Sequence, residues 1–167
     1  PDNPVSRCSA LLLDHEAIGA LGADYFLNLR FTRFAFVGHV RDETPWSLNR
    51  KRGFTGRLDE RGYDCLCYPR ATALERTDFG VEQKRLRAWL VKLPKPVAVM
   101  AACDRRALQI LDTCMDAGIS VPHEIAVLGV DNDEVLCETA SPPLTSIDIG
   151  EENAGYEAAR TLDALMR

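Results

Sequence analysis

The chain has 167 residues, 46% of them hydrophobic and 27% charged, a profile that suits one folded domain and excludes a disordered tail. A core of that size needs neither disulfides nor metal to hold it. Lys and Arg number 20 against 25 Asp and Glu, and this net charge of −5 argues against a chain that itself grips a nucleic-acid backbone.

No apolar run approaches the ~18 residues of a membrane span. The chain starts at Pro1 and shows no signal peptide, so it reads as a piece of a longer protein. Cys8–Leu13 (CSALLL) predicts a strand. His15–Leu29 carries Ile18, Leu21, Tyr25, Phe26 and Leu29 on one helical face. Arg33–Val37 predicts the next strand, ending at Gly38. Ser47–Arg61 predicts a helix that stops before Gly62. A short strand follows at Asp64–Tyr68, and a helix at Phe79–Val91 ends ahead of Pro94 and Pro96. Val97–Ala102 (VAVMAA) and Ile125–Val130 (IAVLGV) predict buried strands. Between them lies a helix over Arg105–Ala117, capped by Asp104 and closed by Gly118. Leu144–Ile147 predicts a last strand, and Glu151–Met166 a last helix with acids in its first turn. The stretches 41–47 and 69–78 are the expected long loops.

Strand runs without polar alternation point to burial on both faces. The repeated strand–helix order predicts an α/β fold, a mostly parallel sheet with helices on both faces. Ligands in such sheets sit at the carboxyl ends of the strands. Polar groups recur there, at Asp14, His39, Cys103–Asp104 and Asp131–Asn132.

Motifs for catalysis are lacking. There is no G-x-G-x-x-G, no Walker-type loop, no G-x-S-x-G elbow and no close Cys/His pair. Asp104 can be a helix cap or a ligand contact. Asp131, beside Asn132, Asp133 and Glu134, can be a solvated turn, a carboxylate accepting two sugar hydroxyls, or part of a Mg²⁺ cluster as in phospho-receivers. A receiver would also need a late lysine, and none follows Lys95. Arg50 opens the predicted helix, where a cation opposes the macrodipole, and its fork of donors suits vicinal oxygens. Trp46, expected in a loop, can stack on a sugar's apolar face or simply pack. Cysteines stand at 8, 65, 67, 103, 114 and 137 with no Cys-x-x-Cys. Cys65 and Cys67 would share one strand face, and two ligands do not make a zinc site. The cysteines read as small core residues of a reducing cytoplasm. No metal or cofactor is assigned.

Three stretches resemble the effector-binding core of the LacI-type transcription regulators. They are DHEAIGALGADYFLNLRFTRFAFVG (14–38), SLNRKRGF (47–54), and the run 98–162 with its strand–Asp–helix, Gly118-x-x-Val121-Pro122 turn, Val-Asp-Asn signature at 130–132 and Pro142-Pro143-Leu144-Thr145-Ser146. The wording Gly-Val-Asp-Asn-Asp-Glu and Cys-Asp-Arg-Arg-Ala is closest to the family's xylose-operon regulator branch, whose members carry an AraC-type helix-turn-helix pair after the sensor.

The resemblance implies a periplasmic-binding-protein-like fold of two lobes, with this chain holding the C-terminal lobe. Residues 1–13 would be a crossover strand from the first lobe, 14–141 the second lobe, and 142–167 a strand and helix returning toward the first. It implies ligand contacts from Arg50, Asp131 and Asp104, joined by Trp46 and Cys103, with Cys103 and Ile149 standing where many members carry polar groups. It also implies a homodimer, with Leu108, Leu111, Leu136 and Cys137 in the interface. The implied function is a sugar-sensing module, for a pentose such as xylose, of a cytoplasmic DNA-binding regulator. It is not an enzyme, it has no membrane partner, and it meets operator DNA only through a domain outside this chain. A transport-type sugar-binding protein is the alternative.

Overall fold

The computed structural model describes residues 11–40, 44–74 and 77–166. Among the described residues, five strands form one parallel sheet: β1 (Phe34–Val37), β2 (Cys65–Cys67), β3 (Val97–Ala101), β4 (Ile125–Val130) and β5 (Thr145–Ile147). Their spatial order is β2-β1-β3-β4-β5. Phe34 pairs with Ala98, Val97 with Ile125, and Leu128 with Thr145, which sets the register across the sheet. The chain runs outward from β1 to β2 and then reverses to β3. This reversal opens a crevice at the carboxyl ends of β1 and β3, the place where doubly wound sheets bind ligands.

The helices among the described residues are α1 (His15–Asn28), α2 (Pro45–Asp59), α3 (Phe79–Lys92), α4 (Asp104–Ala117), α5 (Glu134–Thr139) and α6 (Glu151–Met166). The period-two alternation of the strands divides the core. Phe34, Phe36, Met100 and Leu128 pack with Phe26 of α1 and Phe54 of α2. Ala35, Val37, Val99 and Ile125 pack with Leu86 and Leu90 of α3 and Ile110 of α4 on the other face. Each large side chain so buried contributes about 1.5–3 kcal/mol. No residue of α6 is buried.

Several local expectations are corrected. Of the predicted strand Cys8–Leu13, residues 8–10 lie outside the described residues, and Leu11–Leu13 are not in a strand. An apolar run becomes a strand only where a neighbour takes its ladder hydrogen bonds. Of the two expected loops, residues 41–43 and 75–76 likewise lie outside the described residues. Helix α2 starts at Pro45, not Ser47, with Thr44 at the N-cap and Pro45 in the first turn, a position proline favours. Trp46 is therefore helical, and Arg50 sits in the second turn, past the reach of the macrodipole penalty. Asp104 does not cap α4; Cys103 is the N-cap, and Asp104 begins the helix with its carboxylate turned elsewhere. Helix α5 was not anticipated. Its signal was Asp133, whose Oδ1 accepts from Leu136 N at 3.1 Å.

Candidate functional site

Arg50 reaches the crevice because α1 and α2 come into backbone contact at two glycines. A Cβ on Gly19 of α1 would overlap the Arg50 carbonyl, and one on Gly53 of α2 would overlap the Glu16 carbonyl. The close approach sets the height of α2 above the sheet. The Arg50 side chain, 3% exposed, then runs to the carboxyl edge of β3 and β4, where Nη1 donates to Ala102 O at 2.6 Å and meets Asp131 Oδ1 at 2.9 Å. Its Nε is buried and has no acceptor among the described residues.

Asp131 follows β4 with φ 111° and Asn132 with φ 57°, backbone that non-glycine residues rarely adopt. Such conformations cost on the order of 1–3 kcal/mol each and persist only when the surroundings impose them. Here Asp131 N donates to Ile147 O at 3.1 Å, and Asn132 N donates to Ser146 Oγ at 3.0 Å. Burial raises the Asp131 carboxyl above its ordinary value, against the lowering charge and hydrogen bond of Arg50.

Asp104 braces this turn from below. Its carboxylate, 2% exposed, accepts from Ser146 Oγ at 2.5 Å, from Asp133 N at 2.8 Å and from Cys137 Sγ at 3.6 Å. It leans across Gly129 so closely that a Cβ there would overlap Oδ1. A carboxylate has about four acceptor directions, so one is left.

The crevice, about 390 Å³, is lined by His39, Trp46, Cys103, Asp104, Asp131 and Asn132, among others. Beside it, His15, Arg50, Ile149 and Glu151 border a recess of about 260 Å³. Trp46 lies 5.1 Å from the Arg50 guanidinium carbon and 5.4 Å from the His39 ring. The His39 backbone N–H donates to Ser47 Oγ at 3.1 Å. His15 Nδ1 is buried with no partner among the described residues, and burial together with the Arg50 charge pushes its imidazole down from its ordinary value. Two buried nitrogens without partners among the described residues, on side chains that border one recess, call for an explanation such as a bound ligand or water.

The structure thus brings together Arg50, Trp46, Cys103, Asp104 and Asp131. His39 and Asn132, expected at ligand-side strand ends but given no role there, join them, as do His15 and Glu151, which sequence reasoning did not assign to a site. His39 was legible, being the second residue after an apolar strand. His15 and Glu151 were not, because each begins a helix and reads as an ordinary surface residue. Of the residues expected at a dimer interface, Leu111 and Cys137 are buried within the lobe, and Leu108 and Leu136 are half-buried. No group of three His, Cys, Asp or Glu among the described residues could hold a metal ion.

The carboxyl edge of this doubly wound sheet presents a buried arginine, an acidic turn and an aromatic plate around one crevice. The chain belongs to the periplasmic binding protein-like domain family, whose pattern matches residues 23–167. It is 29% identical over 92% of its length to the xylose operon regulatory protein of Haemophilus influenzae. It is 33% identical over 88% of its length to that of Escherichia coli K12. The solved structure of a xylose-binding transcription activator, xylR, superposes with TM-score 0.73 at 30% identity, covering 89% of this chain and 40% of the other. The chain spans 40% and 38% of the two regulatory proteins. These relatives are transcription regulators of the kind the sequence resembled. No helix among the described residues is long and apolar enough to cross a membrane.

Proposed function

We propose that this chain is the second lobe of the effector-binding module of a cytoplasmic, dimeric, sugar-responsive transcription regulator. The observation that carries the reading is the buried Arg50, paired to Asp131 yet with its Nε left without an acceptor. A guanidinium and a carboxylate side by side offer donors and acceptors to adjacent hydroxyls. Charge-assisted bonds of that kind are the strong ones, and they discriminate against analogues lacking a hydroxyl. Trp46 supplies an apolar plate at the mouth of the cleft, and Cys103 a small, weakly polar wall. Asp104 orders the turn and offers its remaining acceptor direction to ligand. The relatives named for xylose support a pentose as the effector.

In this proposal residues 14–141 form the lobe, with 1–13 and 142–167 as connections to a first lobe. The sugar binds between the lobes and favours one arrangement of them, which it can do only by binding that arrangement more tightly. The dimer surface includes Leu108 and Leu136, with Leu111 and Cys137 packed behind them. Operator DNA is contacted by a domain outside this chain. The chain is read as non-catalytic, and the regulator relatives favour a sensor over a transport-type binding protein.

The test is titration calorimetry of the intact parent protein with xylose, arabinose, ribose and glucose, beside Arg50→Met and Asp131→Asn. One pentose is expected to bind, with at least tenfold weaker binding in both variants. A folded parent protein that gives no heat with any sugar overturns the reading.

A further inference from the structure

One peptide unit at the end of β1 is held from both faces of the sheet. Ala102 N donates to Val37 O at 2.9 Å, at the last residue of the strand. Beyond it, Arg106 of α4 donates from Nε to Gly38 O at 3.2 Å. The N–H of that same peptide, the His39 N–H, donates to Ser47 Oγ of α2 at 3.1 Å. Helix α4 packs on one face of the sheet and α2 on the other. Both side chains are buried, Arg106 at 2% exposure and Ser47 at 3%. We infer that Arg106 and Ser47 are positioning residues for ligand binding, which clamp the Gly38–His39 peptide and so hold the His39 ring beside Trp46 at the crevice, a role that rests on the sugar-binding reading of that crevice.

The guanidinium of Arg106 has little freedom. Nη2 donates to Glu82 Oε1 at 2.5 Å and Nη1 to Gln109 Oε1 at 2.6 Å, and the Tyr68 ring centroid lies 5.4 Å from the guanidinium carbon. A planar fork fixed at both prongs sends its Nε–H in one direction. The Glu82 carboxylate balances the Arg106 charge within the lobe. Arg106 is not among the residues that line the crevice, so its effect on a ligand passes through Gly38 and His39.

A peptide unit is planar, and its plane includes the next Cα. Holding both the Gly38 oxygen and the His39 nitrogen therefore fixes where the His39 Cα stands. From there the His39 ring lies 5.4 Å from the Trp46 ring at a 57° tilt, and Trp46 lies 5.1 Å from the Arg50 guanidinium carbon. Ser47 follows Trp46 in α2, so its bond to His39 also ties the backbones that carry the two rings. Without the clamp, His39 leaves Trp46 and the aromatic wall of the crevice opens. The Arg50–Asp131 pair is untouched, so affinity falls while the lobe stays folded.

The test separates positioning from stability. Glu82→Met with Arg106→Met removes both buried charges together, and the donor to Gly38 O with them. Ser47→Ala removes the acceptor on the other face. The intact parent protein is titrated calorimetrically with xylose, arabinose, ribose and glucose. Each variant is expected to bind the sugar that the wild type takes about tenfold more weakly, the scale of one lost hydrogen bond. His39→Ala should weaken binding by a similar factor, and adding it to the Glu82/Arg106 double variant should weaken binding no further. Deuterium uptake at the His39 amide should quicken in the double variant, which keeps Ser47, while uptake in β4 stays as in the wild type. Wild-type affinity in the double variant, losses that add with His39→Ala, or His39 exchange at the wild-type rate each overturns the clamp, as does quickening in β4 of the same size. A wild-type parent protein that binds no sugar overturns the sugar reading instead, and His39 exchange then decides the clamp alone.

Discussion

Gly19 and Gly53 face each other where α1 crosses α2, each lying against a backbone carbonyl of the other helix. The contact fixes where Arg50 begins, and so where its guanidinium can end. A methyl at Gly19 meets backbone atoms that cannot swing aside. Gly19→Ala is expected to lower stability by about 2–3 kcal/mol, the cost of overpacking, and to weaken sugar binding by moving Arg50. Gly56 lies on the same α2 with nothing within 4 Å of its would-be Cβ. Gly56→Ala should therefore stabilise, by about 0.5–1 kcal/mol, through helix propensity alone. Urea unfolding of both variants checks the contrast.

Asp131 is charged at a cost. Its native carboxyl titrates above the unfolded value because burial outweighs the attraction of Arg50. As pH falls through the native value, the folded state takes up a proton before the unfolded state does. Stability contributed at this site therefore rises as pH falls through that window and is lower at neutral pH. Asp131→Asn, which mimics the protonated form, is expected to be as stable as the wild type or more so at pH 7, and to lose this pH dependence. Urea midpoints between pH 4 and 7 read the effect. A large loss of stability at pH 7 would show the Arg50 pair to be the stronger influence.

Asp104 is the brace of the acidic turn. Asp104→Ala leaves the Asp133 N–H and the Ser146 hydroxyl without their acceptor, and should cost about 2–3 kcal/mol. The strained φ angles at Asp131 and Asn132 lose part of their support in the same step. Faster amide exchange at Asp133 than in β3 of the same variant is the local signature to measure.

Arg106 and Glu82 pair at 2.5 Å with side chains 2% and 3% exposed. Arg106 also donates to Gly38 O at 3.2 Å and to Gln109 Oε1 at 2.6 Å, tying α4 to the strand end that precedes His39. Arg106→Met strands a buried carboxylate and should cost about 3–5 kcal/mol, whereas Glu82→Met with Arg106→Met should cost less than that single change. A double-mutant cycle in urea tests it. A double variant worse than Arg106→Met would count against the buried charge as the cause.

The order of elements was legible because each strand is a short apolar run and each helix a longer periodic one. β4 and α6 match their expected limits. Misplaced boundaries lay where one residue admits two local roles. Asp104 can cap a helix or brace a turn, and only Ser146 and Asp133, far along the chain, decide between them. Thr44-Pro45 marked the start of α2, yet the more polar Ser47 competed with it. The short α5 is too brief for a periodic pattern to show.

The sequence by itself determined the alternation of strands and helices, the parallel sheet, the place of Arg50 on a helix and that of Asp131 at the end of a strand. Those features follow from local periodicity and from the polar residues that end apolar runs. Only the tertiary structure decided that Arg50 meets Asp131 and that His15 and Glu151 border the same recess. Such meetings depend on the strand order and on the α1–α2 crossing. They join residues tens of positions apart, and no local pattern in the chain records the distance between them.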